Sequence, residues 1–366
     1  MGRVADYVRT LALVAVHQYK MTILRRIRQV LSVRRHPVAV VVGSIVVVFS
    51  AAVLLGDLAG HAPLLHTASR VAPEWFALCL VAQVIAYLGY VFALRETARV
   101  DDGPRLDFRH AANVVAAGFG AFFSASAAGG FEVDYWALRH AGASRREALK
   151  RVFGLGTLEY AVLAPAAMFS AIAILADASD NVRPSMSWPW LAVIPGAAFA
   201  VWASQPHRAT RWGSIDNDSG RLRTAFGNFV AGLSVVRRLV QQPRAHGLAL
   251  VGTAMYWFGE ILCLWAALMA FGAQVRVPVL IVGFATGYVL TRRSLPAGGA
   301  GIAEVALVFA LVWLHVAFAP ALLGVFAYRF FNFWLALLPA FAARGTMRTI
   351  RAETALGGKV HTRQAA

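Results

Sequence analysis

Ser294–Leu307, "SLPAGGAGIAEVAL", sets Pro296 and three glycines (Gly298, Gly299, Gly301) beside Glu304, with long apolar runs on either side. Proline removes a backbone donor and interrupts a helix. Glycine permits close backbone approach and conformations closed to other residues. A charge near the centre of a bilayer costs about 2.5–3.5 kcal/mol on insertion scales. The passage therefore reads as a helix break built into a membrane domain. Its broken turn leaves N–H groups at a new helix start, where anions are attracted.

The composition agrees. Of 366 residues, 59% are hydrophobic and 14% charged, against about a quarter charged in a soluble domain. Apolar runs near bilayer-crossing length recur along the chain, so the expected fold class is an all-α polytopic membrane protein. The alternating ten-residue segments of a β-barrel are missing. The net charge is +17, but the basic residues fall between apolar spans. They therefore read as cytoplasmic anchors that set orientation rather than as a nucleic-acid surface, and attraction to anionic headgroups is compatible with that role. Cys79 and Cys263 both sit in apolar spans, where a disulfide or metal framework is not expected. No cleavable signal peptide is expected.

Eight crossings are expected, at about 38–56, 74–94, 152–176, 188–203, 247–271, 277–291, 302–318 and 320–343. Residues 1–36 form a basic cytoplasmic segment, 37–345 the transmembrane domain and 346–366 a basic cytoplasmic tail. Within the domain, 204–246 is a polar insert whose "FGNFVAGLSVVRRLV" reads as an interfacial helix. Residues 111–128 are just long enough to cross. Crossing would put Arg139, Arg145, Arg146, Lys150 and Arg151 outside, against the positive-inside rule. A re-entrant segment removes the conflict and places both termini in the cytoplasm. Such a segment must be buried in protein or line a wet cavity.

The opening stretch has an earlier echo, "SASAAGGFEVDYWAL" at 124–138. Each copy has a serine, Ala-Gly-Gly, an acidic residue and an apolar run. Gly129 and Gly130 correspond to Gly298 and Gly299, but the acidic residues are offset: Glu132 comes three residues after Gly129, with Asp134 two further on, whereas Glu304 comes six after Gly298. An intramembrane charge follows each, Glu159 after the first and Arg329 after the second. Duplicated broken helices point to a transporter whose site lies between repeats. Ordinary small-residue helix packing is the plainer account.

Glu159, Glu260 and Arg329 lie well inside expected helices. Arg329 should face the bundle interior and pair with Glu304 or Glu260, and Asn332, one turn on, is placed to share the network. Arg139, Arg292 and Arg293 lie near helix ends, where they either meet a lipid phosphate or anchor topology. A structural salt bridge is the alternative role for the buried charges. The sequence has no HExxH, GxSxG or GxxxxGK[ST] motif, so no catalytic residue, metal or cofactor is expected.

"LPAGGAGIAEVALVFAL" followed by "VFAYRFFNFWLALLP" resembles the lysylphosphatidylglycerol synthase transmembrane family, also called the flippase-like domain family. The resemblance rests on Pro296, Gly298, Gly299, Gly301 and Glu304, then Arg329 opening an aromatic-rich last helix. "GGFEVDYWALRHAGASRREALKRV" resembles the family's first motif, with Tyr135 where an Arg often stands. "APEWFALCLVAQVIAYLGYVFALRETAR" resembles its second span. The resemblance covers roughly residues 37–345, and the soluble aminoacyl-transferase domain of full-length synthases is not expected in this protein. It implies a non-enzymatic lipid translocase of the bacterial inner (plasma) membrane, moving an anionic phospholipid or polyprenyl-phosphate-linked lipid. Glu132, Asp134, Arg139, Glu159, Glu260, Glu304, Arg329 and Asn332, with the glycine turns, would line the path. An intramembrane lipid-modifying enzyme and a non-transporting scaffold for a cell-envelope enzyme are the alternatives.

Overall fold

The structure is a computed structural model. It describes residues 60–125, 127–177, 184–208, 221–289 and 299–343, together with positions 46, 50, 56 and 57. Apart from positions 46, 50 and 56, the expected first span lies outside these residues, as do the N-terminal segment, the basic tail, Arg292, Arg293, Pro296 and Gly298. The described residues are helical and contain no strand, and the protein is an all-α polytopic membrane protein.

The helices in chain order are α1 (His61–Ser69), α2 (Glu74–Arg99), α3 (Phe108–Ala125), α4 (Ala127–His140), α5 (Arg145–Ala176) and α6 (Val193–Ala203). They continue with α7 (Arg221–Gln241), α8 (Pro243–Ala270), α9 (Val277–Phe284), α10 (Ile302–Trp313), α11 (Phe318–Arg329) and α12 (Leu337–Ala342). A π turn, Ala285–Val289, prolongs α9, and another, Phe330–Trp334, prolongs α11. Among the described residues, four runs are long and apolar enough to cross a membrane: α2, α5, α8 and Phe318–Ala340. Trp188–Ala203, Val277–Gly287 and Ile302–Trp313 are apolar but shorter. At 1.5 Å per residue the 12 residues of α10 reach only about 18 Å, against about 30 Å of hydrocarbon.

The central seam joins α2 to α8, and small residues make it. A Cβ on Gly252 would stand 2.6 Å from the Gly89 carbonyl oxygen, and one on Gly259 would stand 2.4 Å from that of Ala82. Without a hydrophobic driving force between helices in lipid, such close backbone contact supplies the packing attraction. Cys79 and Cys263 meet across this seam as buried free thiols, the Cys79 thiol donating to the Cys263 carbonyl at 3.5 Å.

Two helix pairs flank the seam. α3 and α4 are separated by one residue and pack on one another and on α2 and α5 through Val114, Val115, Ala137 and Leu138. α9 and α10 pack antiparallel: a Cβ on Gly287 would strike Leu307, and one on Gly283 would reach Leu311. The glycine conformations of the two pairs differ. Gly129 and Gly130 lie in the first turn of α4, whereas Gly299 (φ 72°) and Gly301 (φ 85°) take the left-handed conformation before α10. The echo is thus a likeness of sequence at these positions and not of backbone shape.

The insert 204–246 is more than a surface helix. α7 buries Val230, Val235 and Leu239 and packs against α5 and α8. Gly232 and Gly154 set the α5–α7 approach, since a Cβ on either would meet the opposite helix below 3 Å.

One helix supplies a paired test of this packing. Ala at Gly252 should destabilise by about 1–3 kcal/mol through overpacking. Ala at Gly247, where an added Cβ meets nothing within 4 Å, should be neutral or stabilise by up to about 1 kcal/mol. Thermal unfolding in detergent separates the two, and equal shifts would refute the seam.

Candidate functional site

Five buried polar side chains from three helices join in one network. Gly301 caps the start of α10, and the third residue of the helix turns back, so that the Gly301 N–H donates to Glu304 Oε2 at 2.6 Å. This fixes the carboxylate at the helix start, where a negative charge is favoured. Its other oxygen accepts from Arg329 Nε at 2.6 Å. Arg329 is 1% exposed and Glu304 fully buried. The guanidinium also donates from Nη1 to Asn332 Oδ1 at 3.3 Å and lies 4.3 Å from the centre of the Phe333 ring. Asn332 Nδ2 donates in turn to Glu260 Oε1 and Oε2 at 2.7 and 2.6 Å, and the Tyr328 hydroxyl donates to Glu260 Oε2 at 2.5 Å. Glu260 comes from α8, Glu304 from α10, and the remaining groups from α11 and its π turn.

The π turn matters to this arrangement. Such turns insert extra backbone into a helix and often mark functional positions. Here one follows directly on Arg329, and Tyr328, Arg329 and Asn332 are all buried in the network. Two carboxylates meet one guanidinium, which leaves one formal negative charge. Glu304 takes up the arginine through its Nε, and Glu260 is held by neutral donors.

One end of the network opens on a cavity of about 340 Å³ between α2, α3, α8 and the last helix. Glu260 and Asn332 form part of its wall. The rest is largely apolar: Leu80, Val84, Leu88, Phe119, Phe331, Leu335 and Pro339, with Gln83 and Tyr87 as further polar groups. The Tyr87 hydroxyl donates to the Ala112 carbonyl and so ties α2 to α3. Arg329 and Glu304 are not on this wall, and no cation lines it among the described residues.

The structure thus gathers Glu260, Glu304, Arg329 and Asn332, with Gly301 as a direct partner and Gly299 just before it. The N–H of Gly301, expected to hold a headgroup, is occupied by Glu304. The earlier motif does not join this network. Glu132 is exposed, Asp134 is buried in α4, and Arg139 is exposed and donates to the Ala143 carbonyl at 2.7 Å, closing the turn after α4. Glu159 is buried in the α5–α8 seam, where the Trp257 indole N–H donates to its backbone carbonyl at 2.8 Å. Sequence reasoning missed Tyr328, Phe333, Gln83 and Tyr87. Phe333 stands four residues after Arg329, a spacing that places two side chains on one helix face.

Residues 38–340 match the family model described as "Lysylphosphatidylglycerol synthase TM region". No curated protein matches the chain.

The network predicts strong pairwise coupling. Arg329→Gln and Glu304→Gln should each destabilise by about 3–5 kcal/mol, because each leaves a buried charge without its counter-charge. The double variant should recover about 1–3 kcal/mol of the summed loss. Strict additivity in thermal unfolding would contradict the pair.

Proposed function

The chain belongs to the lysylphosphatidylglycerol synthase transmembrane family, and from that premise we propose that it moves a lipid between leaflets. The observation that carries this reading is the cavity beside the Glu260–Asn332 pair. Its mostly apolar wall suits acyl or isoprenoid chains, and the polar strip gives a headgroup one place to stop. Apolar pockets with a few placed polar groups are the usual form of a ligand site. The two helix pairs, α3–α4 and α9–α10, act as re-entrant elements, and α3 reaches the cavity wall through Phe119. This is consistent with their lengths and with the rule that irregular membrane backbone must be buried or line a cavity.

The substrate is a phospholipid or polyprenyl-phosphate-linked lipid of the bacterial inner (plasma) membrane. The wall selects among such lipids by the donors that the headgroup carries beside its phosphate. Arg329 is sealed behind Asn332, and the charged group facing the cavity is the Glu260 carboxylate, an acceptor. Headgroups that present hydroxyl or ammonium donors beside their phosphate fit it best. Arg329 and Glu304 then act as positioning residues. They hold Asn332, and through it Glu260, where the headgroup arrives.

Reconstituted liposomes with fluorescent lipids test the proposal. Phosphatidylglycerol and phosphatidylethanolamine should cross at least about tenfold faster than phosphatidylcholine, whose headgroup has no donor. That ratio corresponds to about 1.4 kcal/mol, within the range of a hydrogen bond to a charged group. Glu260→Gln should erase most of the preference. Equal rates for all three lipids, or a preference intact in Glu260→Gln, would refute it.

A further inference from the structure

A second cavity, of about 390 Å³, lies where the start of α5 meets the end of α7, and it shares no lining residue with the first. Its chemistry is the reverse. Arg146 and Lys150 line it from α5, and Arg237 and Arg238 from α7. Glu147 is the one carboxylate on the wall among the described residues. That carboxylate is engaged in capping α5, where it accepts the Ser144 N–H at 2.9 Å.

Asp101 answers part of the positive charge from outside the wall. It accepts from Lys150 at 2.8 Å and pairs with Arg238. Arg237 is different: its Nη1 is buried and has no hydrogen-bond partner among the described residues. A buried donor left unsatisfied is destabilising, and an oxyanion in the cavity would remove that cost. Asn228 and Ser204 add neutral polar groups to the same wall.

The depth of this cavity identifies the kind of anion. α5 has 32 residues, about 48 Å, and so exceeds the hydrocarbon thickness of about 30 Å. Its apolar course begins at Val152, which puts Arg146 and Lys150 at the headgroup level. Nearby Trp202 stacks with Arg208, the guanidinium carbon 4.1 Å from the ring centre. Phe226 and Phe229 are exposed on α7. Aromatic side chains of this kind gather at membrane–water interfaces, and basic pockets between helices there hold anionic headgroups.

We propose that this α5–α7 cavity binds the phosphate of an anionic phospholipid headgroup, as a site separate from the central cavity. The reading does not depend on translocation, because the site needs only a leaflet beside it.

Native mass spectrometry of the full chain in neutral detergent is the test, with phosphatidylglycerol, phosphatidylcholine and inorganic phosphate as separate titrants. Wild type should retain phosphatidylglycerol in preference to phosphatidylcholine, with inorganic phosphate much weaker than either. Arg146→Gln, at an exposed position that folding tolerates, should weaken phosphatidylglycerol about fivefold. Arg146→Gln with Arg237→Gln should weaken it about thirtyfold. Arg146→Gln should cause the same fold-loss in a Glu260→Gln background as in wild type, which separates this site from the central one. Unchanged phosphatidylglycerol binding in Arg146→Gln, or inorganic phosphate binding as tightly as the lipid, would overturn the proposal.

Discussion

The ion pair between Arg329 and Glu304 is the constraint on which the site depends. Both side chains are buried in a membrane domain, where an isolated charge is costly and a matched, hydrogen-bonded pair is tolerated. Each partner is placed by a departure from regular helix. Glu304 sits at the start of α10 because Gly301 takes a left-handed conformation there. Arg329 is followed by a π turn, and Asn332 within that turn reaches Glu260. Where a continuous α10 would meet the last helix with apolar side chains alone, the break creates a polar line through the bundle that ends at a cavity.

Much of this was legible in the residues. A carboxylate beside a glycine break and an arginine within an apolar helix each carry an insertion cost, so a partner had to exist. The three-residue spacing of Arg329 and Asn332 put them on one face. Which group faces the cavity was not legible. That follows from the π turn and from how four helices meet, and neither leaves a local pattern. Hence Arg329 reads from sequence as the group that meets a headgroup, while in the fold it lies behind Asn332. The first motif misled for a related reason. Gly129 and Gly130 look like a second break, yet they continue the first turn of α4, because nothing comparable to Pro296 precedes them. The insert 204–246 looked interfacial from its amphipathic pattern, and that pattern cannot tell lipid from the apolar faces of α5 and α8.

The distribution of charge gives the molecule its polarity. Among the described residues, cations gather at helix ends, as where α5 meets α7, while the network beside the central cavity sets Glu260 and Glu304 around Arg329. On the proposed reading, a phosphate meets cations at the headgroup level and an acceptor deeper in, and for a lipid with donors beside its phosphate the two environments are complementary.

Photo-crosslinking tests the central claim most directly: the full chain in liposomes with a phosphatidylglycerol whose headgroup carries a diazirine. The account predicts adducts on the cavity wall, in residues 80–88 of α2 and 331–339 of the last helix, that unlabelled phosphatidylglycerol competes away. Adducts confined to the outer faces of the helices, or insensitive to competition, would contradict it.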